Sequence, residues 1–153
     1  PVVYCGDNNI AMKNDIWFGD MLEERVKREK DEKERKRLAI KMKSKERFHT
    51  GEAILCGYSK YEQDLFTELL RDCNMVDCYR EKYRECVNEF SWFNIRIKNS
   101  FENNIGWRID RFLLQKRYSE KIRDCTILSE IGVRTISGKF ISDHLPIILD
   151  ISL

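Results

Sequence analysis

Short apolar runs separated by polar breaks dominate this chain, and their spacing predicts strands around one amphipathic helix. Residues 2–5 are β-branched, aromatic and closed by Gly6, which predicts a fully buried strand. Residues 60–74 carry apolar side chains at helical spacing. Ser59 is a suitable N-cap with Glu62 three positions later, the capping-box pattern. An α/β fold is therefore expected.

Strands dominate the predicted secondary structure in the second half of the chain. Residues 75–79 fit a short strand or turn, and residues 115–122 leave room for a helix. Apolar patterning predicts strands at 90–97, 107–114, 126–131, 140–141 and 147–153.

Residues 21–47 differ from the rest of the chain because they are almost entirely charged. Acidic and basic residues alternate at i,i+4 spacing, as in Glu32 and Lys36, which predicts a long helix. Few apolar residues interrupt it, so most of the helix cannot pack on a core. A solvated insertion fits the mixed charge better than a DNA-tracking arm. Residues 33–37 also give a weak nuclear-localisation pattern.

Composition narrows the function classes without selecting one. The 153 residues suit a single domain or part of one, and the net charge is only +2, so no uniformly basic face is evident. Six cysteines without a Cys-x-x-Cys pair indicate reduced thiols in an intracellular protein and no zinc site. No apolar run reaches membrane-spanning length. The first residues read as the middle of a strand, so we expect a portion of a longer protein.

Three polar clusters stand at the ends of predicted strands. Asp7 and Asn9 follow the first strand, Asp110 lies within the run 107–114, and Asp143 with His144 precedes the last strand. The first cluster follows its strand and the last precedes its own, so the two strands must run in opposite directions or lie in separate packed sheets. If the clusters meet, they form a hydrolytic site.

The chemistry of each cluster leaves alternatives. Asp7 and Asn9 point the same way if extended and could orient a water or hold a phosphoryl oxygen, or they form a simple turn. Asp110 could pair with Arg108 structurally or fix the tautomer of His144, a recurring catalytic device. Asp143 suits a hard divalent cation, although Asp143 and His144 also fit a turn.

Aromatic and basic residues flank these clusters. At least one of Trp92, Phe93 and Trp107 should fill core, whereas the others could form a pocket for an unstacked nucleotide or sugar. Nearby Arg96, Lys98 and Arg108 could contact phosphates.

Several motifs resemble the exonuclease III family of apurinic/apyrimidinic (AP) endonucleases, within the endonuclease/exonuclease/phosphatase superfamily. The superfamily-wide motifs are Gly-Asp-Asn-Asn at 6–9 and Ser-Asp-His-Leu-Pro at 142–146. The narrower ones are Gly-Trp-Arg-Ile-Asp at 106–110, Phe-Ser-Trp-Phe-Asn-Ile-Arg at 90–96, and the segments 57–64 and 75–80. The match spans nearly the whole chain except residues 21–47, where a charged insertion replaces a short loop.

The resemblance implies a four-layer sandwich of two packed mixed sheets flanked by helices, of which this chain would hold the C-terminal part. It implies that Asp7 orients the attacking water, Asn9 holds the phosphate, Asp110 orients His144, and His144 contacts the scissile phosphate. Asp143, with Asp7 and Asn9, would bind Mg²⁺ or Mn²⁺. The substrate contacts would come from Trp92, Phe93, Trp107, Arg96 and Arg108.

The implied activity is DNA base-excision repair. Duplex DNA would be cut 5′ to an abasic site to leave a 3′-hydroxyl, with 3′→5′ exonuclease activity as an accompaniment. The alternatives are a superfamily nuclease or phosphatase of other specificity, or a non-catalytic DNA- or protein-binding remnant. The family's remaining metal ligand and two further site residues should precede Pro1, so we expect this chain alone to be unstable and inactive. The full-length protein should be a monomer in a DNA-containing compartment, most simply the nucleus, with a mitochondrion or bacterial cytoplasm as alternatives.

Overall fold

The computed structural model describes residues 1–17, 31–33, 35–36, 56–86, 88–129 and 141–152. Within these ranges the chain forms seven short strands, two α-helices and one 3₁₀-helix. In chain order these are β1 (Val3–Asp7), α1 (Lys60–Asp72), β2 (Met75–Asp77), α2 (Cys78–Lys82), β3 (Trp92–Phe93), β4 (Gly106–Trp107), β5 (Asp110–Gln115), the 3₁₀-helix (Lys116–Lys121), β6 (Ile122–Ile127) and β7 (Ile147–Ile151).

The described strands pair into three antiparallel sheets. The first has the order β1-β5-β2, the second pairs β3 with β4, and the third pairs β6 with β7. The sequence predicts that the strand before Asp7 and the strand after His144 run in opposite directions or lie in separate sheets. These strands are β1 and β7, and they lie in separate sheets. β5 is the central strand of the first sheet, and its first residue, Asp110, lies opposite Asp7 at the end of β1.

Helix α1 begins where its capping signal predicts. The Ser59 hydroxyl accepts a hydrogen bond from the backbone N–H of Glu62 at 3.2 Å, and the Glu62 carboxylate accepts from the backbone N–H of Ser59 at 2.9 Å. This reciprocal capping box satisfies two otherwise unpaired donors. Phe66 is the buried residue of α1 and packs beneath the Arg111 guanidinium, 4.9 Å from the ring centroid.

Two predicted strands are shorter or broken in the structure. Of residues 90–97 only Trp92 and Phe93 form β3, and the run 107–114 divides into β4 and β5. The division falls at Arg108 and Ile109, where the backbone carbonyl of Ile109 accepts instead from the N–H of Asn8 at 2.9 Å. The polar side chain of Arg108 turns into the protein there, which interrupts the alternation that a continuous strand requires.

Other boundaries also differ from the sequence expectations. β1 extends to Asp7, and its residues Val3 and Tyr4 are exposed among the described residues, so the expectation of a fully buried strand at 2–5 is not met. Strand β6 covers 122–127 rather than 126–131, and a 3₁₀-helix occupies the place left for a helix within 115–122. Of the strand predicted at 140–141, residue 140 lies outside the described residues, and Ile141 is in a bend and not in a strand.

Only part of the charged segment 21–47 belongs to the described chain. Glu32, Lys33, Arg35 and Lys36 are helical, and Lys36 Nζ lies 2.9 Å from Glu32 Oε1, as the i,i+4 spacing predicted. The rest of the predicted helix lies outside the described residues, so its role stays a prediction.

Two apolar clusters hold the described elements together. The larger one joins α2, β5, β6 and the segment around Phe90 and Phe93, with Leu114 and Cys78 fully buried. The smaller one lies under the polar strand ends and consists of Ala11, Ile16, Tyr58 and Ile109, with Trp92 and Trp107 packed against it. The polar strand ends therefore lie over buried apolar side chains. No helix in the described ranges is long and apolar enough to cross a membrane.

Candidate active site

An aspartate–histidine pair forms the centre of the site. His144 Nδ1 lies 2.9 Å from Asp110 Oδ2 and 3.1 Å from Asp110 Oδ1. An ionised carboxylate can only accept, so this contact favours the tautomer in which Nδ1 carries the proton and Nε2 is free to accept. The His144 side chain keeps 34% of its surface exposed, against 15% for Asp110. The pair can thus present a ring nitrogen to a bound molecule.

His144 reaches Asp110 because its segment adds to the β3–β4 sheet. The backbone N–H of Phe93 donates to the carbonyl of Asp143 at 2.9 Å, and the N–H of Leu145 donates to the carbonyl of Ser91 at 2.7 Å. Trp92 and His144 form an isolated antiparallel bridge. Leu145 anchors the segment in the larger core at 4% exposure. Backbone pairing and one buried side chain therefore fix the position of the histidine.

Asp7 stands beside this pair on the neighbouring strand. Asp7 and Asp110 are directly opposite in the β1–β5 register, and opposed residues of an antiparallel pair project from the same face of the sheet. The Asp7 side chain is exposed and accepts from the backbone N–H of Asn9 at 2.7 Å. Asn9 adopts a left-handed conformation, with φ of 52°. Asp7 and Asn9 thus form the turn alternative rather than an extended pair, although both remain exposed at the site.

Two tryptophans form an aromatic wall next to the Asp110–His144 pair, which we call the dyad. Trp92 and Trp107 are opposite each other in β3–β4, with ring centroids 5.9 Å apart and ring planes at 76°. Both are half-buried. The indole Nε1–H of Trp92 donates to Asp143 Oδ2 at 3.0 Å, which orients that carboxylate. Trp92 therefore forms part of the aromatic surface and also orients Asp143, the residue that the sequence predicts to bind a cation.

Phe93 does not belong to this wall. It is 4% exposed and packs edge-on against Phe90 and Phe101, at centroid distances of 6.3 Å and 5.0 Å. Its neighbours in β3 alternate direction, so Trp92 faces the site while Phe93 faces the core. Phe93 was expected to contact the substrate, but the structure places it in the core. Arg96, in contrast, is exposed in the loop after β3 and stays a candidate phosphate contact.

Arg108 is also corrected from a phosphate contact to a structural residue. It is 1% exposed, and its guanidinium bonds Asp15 at 2.8 and 2.9 Å and Asp77 at 2.7 and 3.2 Å. Arg111 Nη2 bonds Asp15 at 2.8 Å, and Arg80 completes the group by contacting Asp15 as well. We call these five residues the buried ion cluster. The cluster joins the segment after β1 to β2, α2 and β5. Because Arg108 is buried and its guanidinium is bonded to both aspartates, it is not available to a substrate phosphate.

Electrostatics in the buried ion cluster are dominated by its arginines. Burial by itself raises the pKa of Asp15, but the charges of Arg108, Arg111 and Arg80 outweigh it and lower the pKa to about 2. Burial similarly opposes the charge of Arg108, and the two aspartates raise its pKa above the ordinary value. The Asp15 carboxylate and the Arg108 guanidinium therefore stay charged over the physiological range.

The cluster aspartates and Ser91 were missed by the sequence reasoning. Asp15 lies in a segment that resembles an ordinary polar loop, and Asp77 was counted only within a family motif. Ser91 is fully buried, and its Oγ accepts from the backbone N–H groups of Ile109 and Asp110, each at 3.1 Å. The sequence signals for Ser91 were its place in an aromatic run and in the motif at 90–96, and nothing in the local pattern marked Asp15.

Carboxylate and amide oxygens near the dyad are of the type that binds a hard divalent cation. Mg²⁺ commonly uses one or two carboxylates together with water and phosphate oxygens. Asp143 keeps one carboxylate oxygen free of the Trp92 bond, and Asp7 and Asn9 are exposed on the adjacent turn. Across the described ranges, no three histidine, cysteine or acidic residues gather closely enough to hold a metal. The chemistry of Asp143, Asp7 and Asn9 therefore fits oxygen ligands of such a cation.

Comparisons with known proteins agree with the motifs. No family model matches the chain. An exodeoxyribonuclease of Bacillus subtilis is 33% identical over 97 residues, which are 63% of this chain and 34% of that protein. Exodeoxyribonuclease III of Haemophilus influenzae is 29% identical over 148 residues, 96% of this chain and 44% of that protein. The chain thus spans between a third and a half of these curated relatives.

Solved structures show the same fold. An AP endonuclease from Leishmania major matches with a TM-score of 0.63 at 22% identity, over 96% of this chain and 34% of that one. A 3′-5′ exonuclease from Neisseria meningitidis matches with a TM-score of 0.65 at 21% identity, over 99% and 45%. The predicted fold class, the α/β architecture of the AP endonucleases, is therefore confirmed. In sequence the chain is similar to bacterial exodeoxyribonucleases, and in fold it is similar to AP endonucleases, in agreement with the resemblance of its motifs.

Proposed function

We propose that the natural protein containing this chain is a metal-dependent DNA repair nuclease that hydrolyses the phosphodiester bond 5′ to an abasic site and leaves a 3′-hydroxyl. The observation that carries the proposal is the Asp110–His144 pair, held at 2.9 Å by two independent strand segments. Asp7 on the facing strand supports it, because a second carboxylate at the same sheet edge can orient an attacking water.

The proposed mechanism assigns one task to each group. His144 Nε2, oriented through Nδ1 by Asp110, contacts a phosphate oxygen or moves a proton during in-line attack by water at phosphorus. Asp7 accepts a hydrogen bond from that water, and Asn9 contacts the phosphate. These preorganised groups stabilise the charge that grows on the phosphate oxygens.

Asp143 would hold Mg²⁺ or Mn²⁺, with Asp7 and Asn9 as further oxygen donors. When bound, such a cation neutralises charge on the phosphate oxygens. The Trp92 indole supports this assignment because it holds Asp143 in place through one oxygen and leaves the other available. Partners of this kind are known to tune the ligands that they orient.

Specificity for an abasic site is proposed to come from Trp92 and Trp107. Their half-buried rings pack edge to face, with planes at 76°, and offer apolar surface beside the dyad. A sugar without a base is small and easily turned out of the duplex, since little stacking is lost. Such a sugar would pack against the tryptophans while Arg96 contacts a neighbouring phosphate. The names of the relatives, exodeoxyribonuclease and AP endonuclease, agree with this class of substrate.

A second activity, 3′→5′ trimming or cleaning of DNA ends, fits the same site. A structural neighbour from Neisseria is described as a 3′ phosphatase bound to a product DNA hairpin. Removal of a 3′ phosphate and cleavage of a diester share attack at phosphorus and the need to stabilise phosphate oxygens. The proposed substrate is therefore double-stranded DNA in both cases.

Domain organisation and context follow from the proposal. Residues 1–153 would be the C-terminal part of one catalytic domain, with the charged helix 21–47 as an insertion. The chain alone would be inactive because the family's remaining metal ligand is expected elsewhere in the protein. We propose that the full-length protein is a monomer. We also propose that it acts in a DNA-containing compartment, with the nucleus as the preferred one.

The test is Mg²⁺-dependent cleavage of a duplex with one tetrahydrofuran abasic analogue, compared with an intact duplex, by the natural protein containing this chain. We expect a single nick at the analogue. His144→Ala should lower its rate by about 10²–10⁴-fold, and Asp110→Asn should cause a large loss because the amide no longer selects the tautomer. The matched control is Asp150→Asn, an exposed aspartate of β7, which should keep full activity.

The other outcomes separate the alternatives. Equal degradation of both duplexes would indicate a general nuclease. Absence of cleavage would contradict the proposal and favour a phosphatase of small substrates or a non-catalytic binding protein. A binding protein would also be insensitive to the His144→Ala change in a DNA-binding assay.

A further inference from the structure

Ser91 contacts both segments that carry the aspartate–histidine pair. Its Oγ accepts from the backbone N–H groups of Ile109 and Asp110, each at 3.1 Å. Its carbonyl accepts from the N–H of Leu145, the residue after His144, at 2.7 Å, and its own N–H donates to the carbonyl of Trp107 at 3.0 Å. One buried residue therefore links the strand of Asp110 to the segment that carries His144.

We infer that Ser91 is a positioning residue for the Asp110–His144 pair, an inference that rests on the function proposed for that pair. The chain leaves regular pairing between β4 and β5, so the N–H groups at 109 and 110 need an acceptor from elsewhere. A hydroxyl oxygen has two acceptor lone pairs and can satisfy both. The hydroxyl thereby sets the backbone position from which the Asp110 carboxylate approaches His144.

Removal of the hydroxyl should act on turnover and not on substrate binding. Ser91 has no exposed surface, so it cannot contact a substrate directly. In Ser91→Ala the two amide groups would lose their acceptor, and the segment would shift to find another. A displacement of catalytic groups by about 1 Å can cost roughly a hundredfold in rate. We therefore expect kcat to fall by roughly tenfold to a hundredfold while KM stays within about twofold.

The chain offers a close matched control in Ser100. This serine is 2% exposed, and its buried Oγ has no hydrogen-bond partner among the described residues. Ser100→Ala removes the same hydroxyl from a similarly buried position, but it breaks no hydrogen bond between described residues. Ser91→Thr serves as the conservative variant, because threonine keeps a hydroxyl at the same position.

The experiment measures the three variants and the unmodified natural protein in two ways. Steady-state cleavage of the tetrahydrofuran duplex gives kcat and KM, and ¹⁵N NMR of the imidazole without DNA gives the tautomer of His144. We expect Ser91→Ala to lower kcat and to reduce the Nδ1–H tautomer. Ser100→Ala should change neither value, and Ser91→Thr should recover kcat relative to Ser91→Ala.

The NMR readout separates this inference from the proposed function. If the unmodified protein does not cut DNA, the function fails, but a tautomer change confined to Ser91→Ala would still support the positioning role. If Ser91→Ala leaves the tautomer and kcat unchanged, or changes them no more than Ser100→Ala does, the inference is overturned. A loss of folded protein without a tautomer change in the remaining folded fraction would assign Ser91 a purely structural role and would also overturn it.

Discussion

Replacement of Asp15 by asparagine should be among the most destabilising single changes in the described part of the chain. Asp15 has no exposed surface and accepts charged hydrogen bonds from Arg108 at 2.8 and 2.9 Å and from Arg111 at 2.8 Å, besides its contact with Arg80. Asparagine has a similar shape but no charge. It would turn donor hydrogens toward guanidinium groups that are themselves donors only.

The expected magnitude follows from the burial of the whole group. Loss of one partner from a buried ion pair costs about 3–5 kcal/mol, because a charge remains in the interior without compensation. Here three arginines would be left with Asp77 as the single cluster carboxylate. A domain is typically stable by only about 5–15 kcal/mol, so the change removes a large share of the free energy of unfolding.

The assay is urea unfolding of the natural protein containing this chain, followed by circular dichroism. With a slope of about 1–3 kcal/mol per molar urea, a loss of about 3–5 kcal/mol in Asp15→Asn should lower the midpoint by roughly 1–5 M. The control is Asp64→Asn on α1, where the carboxylate is 61% exposed and pairs with Lys60. Exposed pairs contribute about 0–1 kcal/mol, so its midpoint should scarcely move. Equal shifts in the two variants would refute the reasoning.

The same residue gives a signed pH dependence. The folded-state pKa of Asp15 is lowered from 3.8 to about 2, so its contribution is complete above the unfolded value and is lost as the pH falls from 4 to 2. Each pKa unit corresponds to about 1.4 kcal/mol, which makes the loss about 2 kcal/mol. The difference in stability between the unmodified protein and Asp15→Asn should therefore shrink by that amount over this interval. A difference that stays constant from pH 5 to pH 2 would contradict the assignment.

Two further changes test the surroundings of the dyad. Gly57→Ala should destabilise the protein by about 1–3 kcal/mol in urea unfolding, because φ is +79° and a Cβ would lie 2.5 Å from the Asn9 carbonyl oxygen; an unchanged midpoint would contradict this close approach. Trp92→Phe removes the donor to Asp143, so the Mg²⁺ concentration for half-maximal cleavage should rise about tenfold. Trp17→Phe is its control, since that indole has no partner in the described ranges, and an equal effect of both variants would refute the role of Trp92.

The local features of the fold could be predicted because their causes lie within a few residues. The capping box of α1 needs only Ser59 and Glu62 at the right spacing. The Glu32–Lys36 pair depends on one helical turn. The pairing of Asp110 with His144 was one of two options left open by the residues, and the family resemblance selected it.

The destinations of Arg108 and Phe93 could not be predicted in this way. Arg108 faces inward because Asp15, 93 positions earlier, and Asp77, 31 positions earlier, converge on it. No local pattern shows that two distant carboxylates will be buried together. Phe93 and Trp92 are both aromatic neighbours in β3, and only the contacts with Phe101 and Asp143 decide which of them faces the core.

These differences divide the site into two kinds of residue. The groups proposed to act on a substrate, such as Asp7 and His144, are polar residues at strand ends, where sequence patterns are informative. The residues beneath the site, such as Ser91 and Asp15, are buried polar residues with partners from several segments. A buried polar group is stable only when its partners are complete, so its position depends on the whole fold and cannot be inferred from its neighbours. We infer that the dyad geometry depends on a buried residue of this kind, Ser91, which the sequence alone does not distinguish from an ordinary strand position.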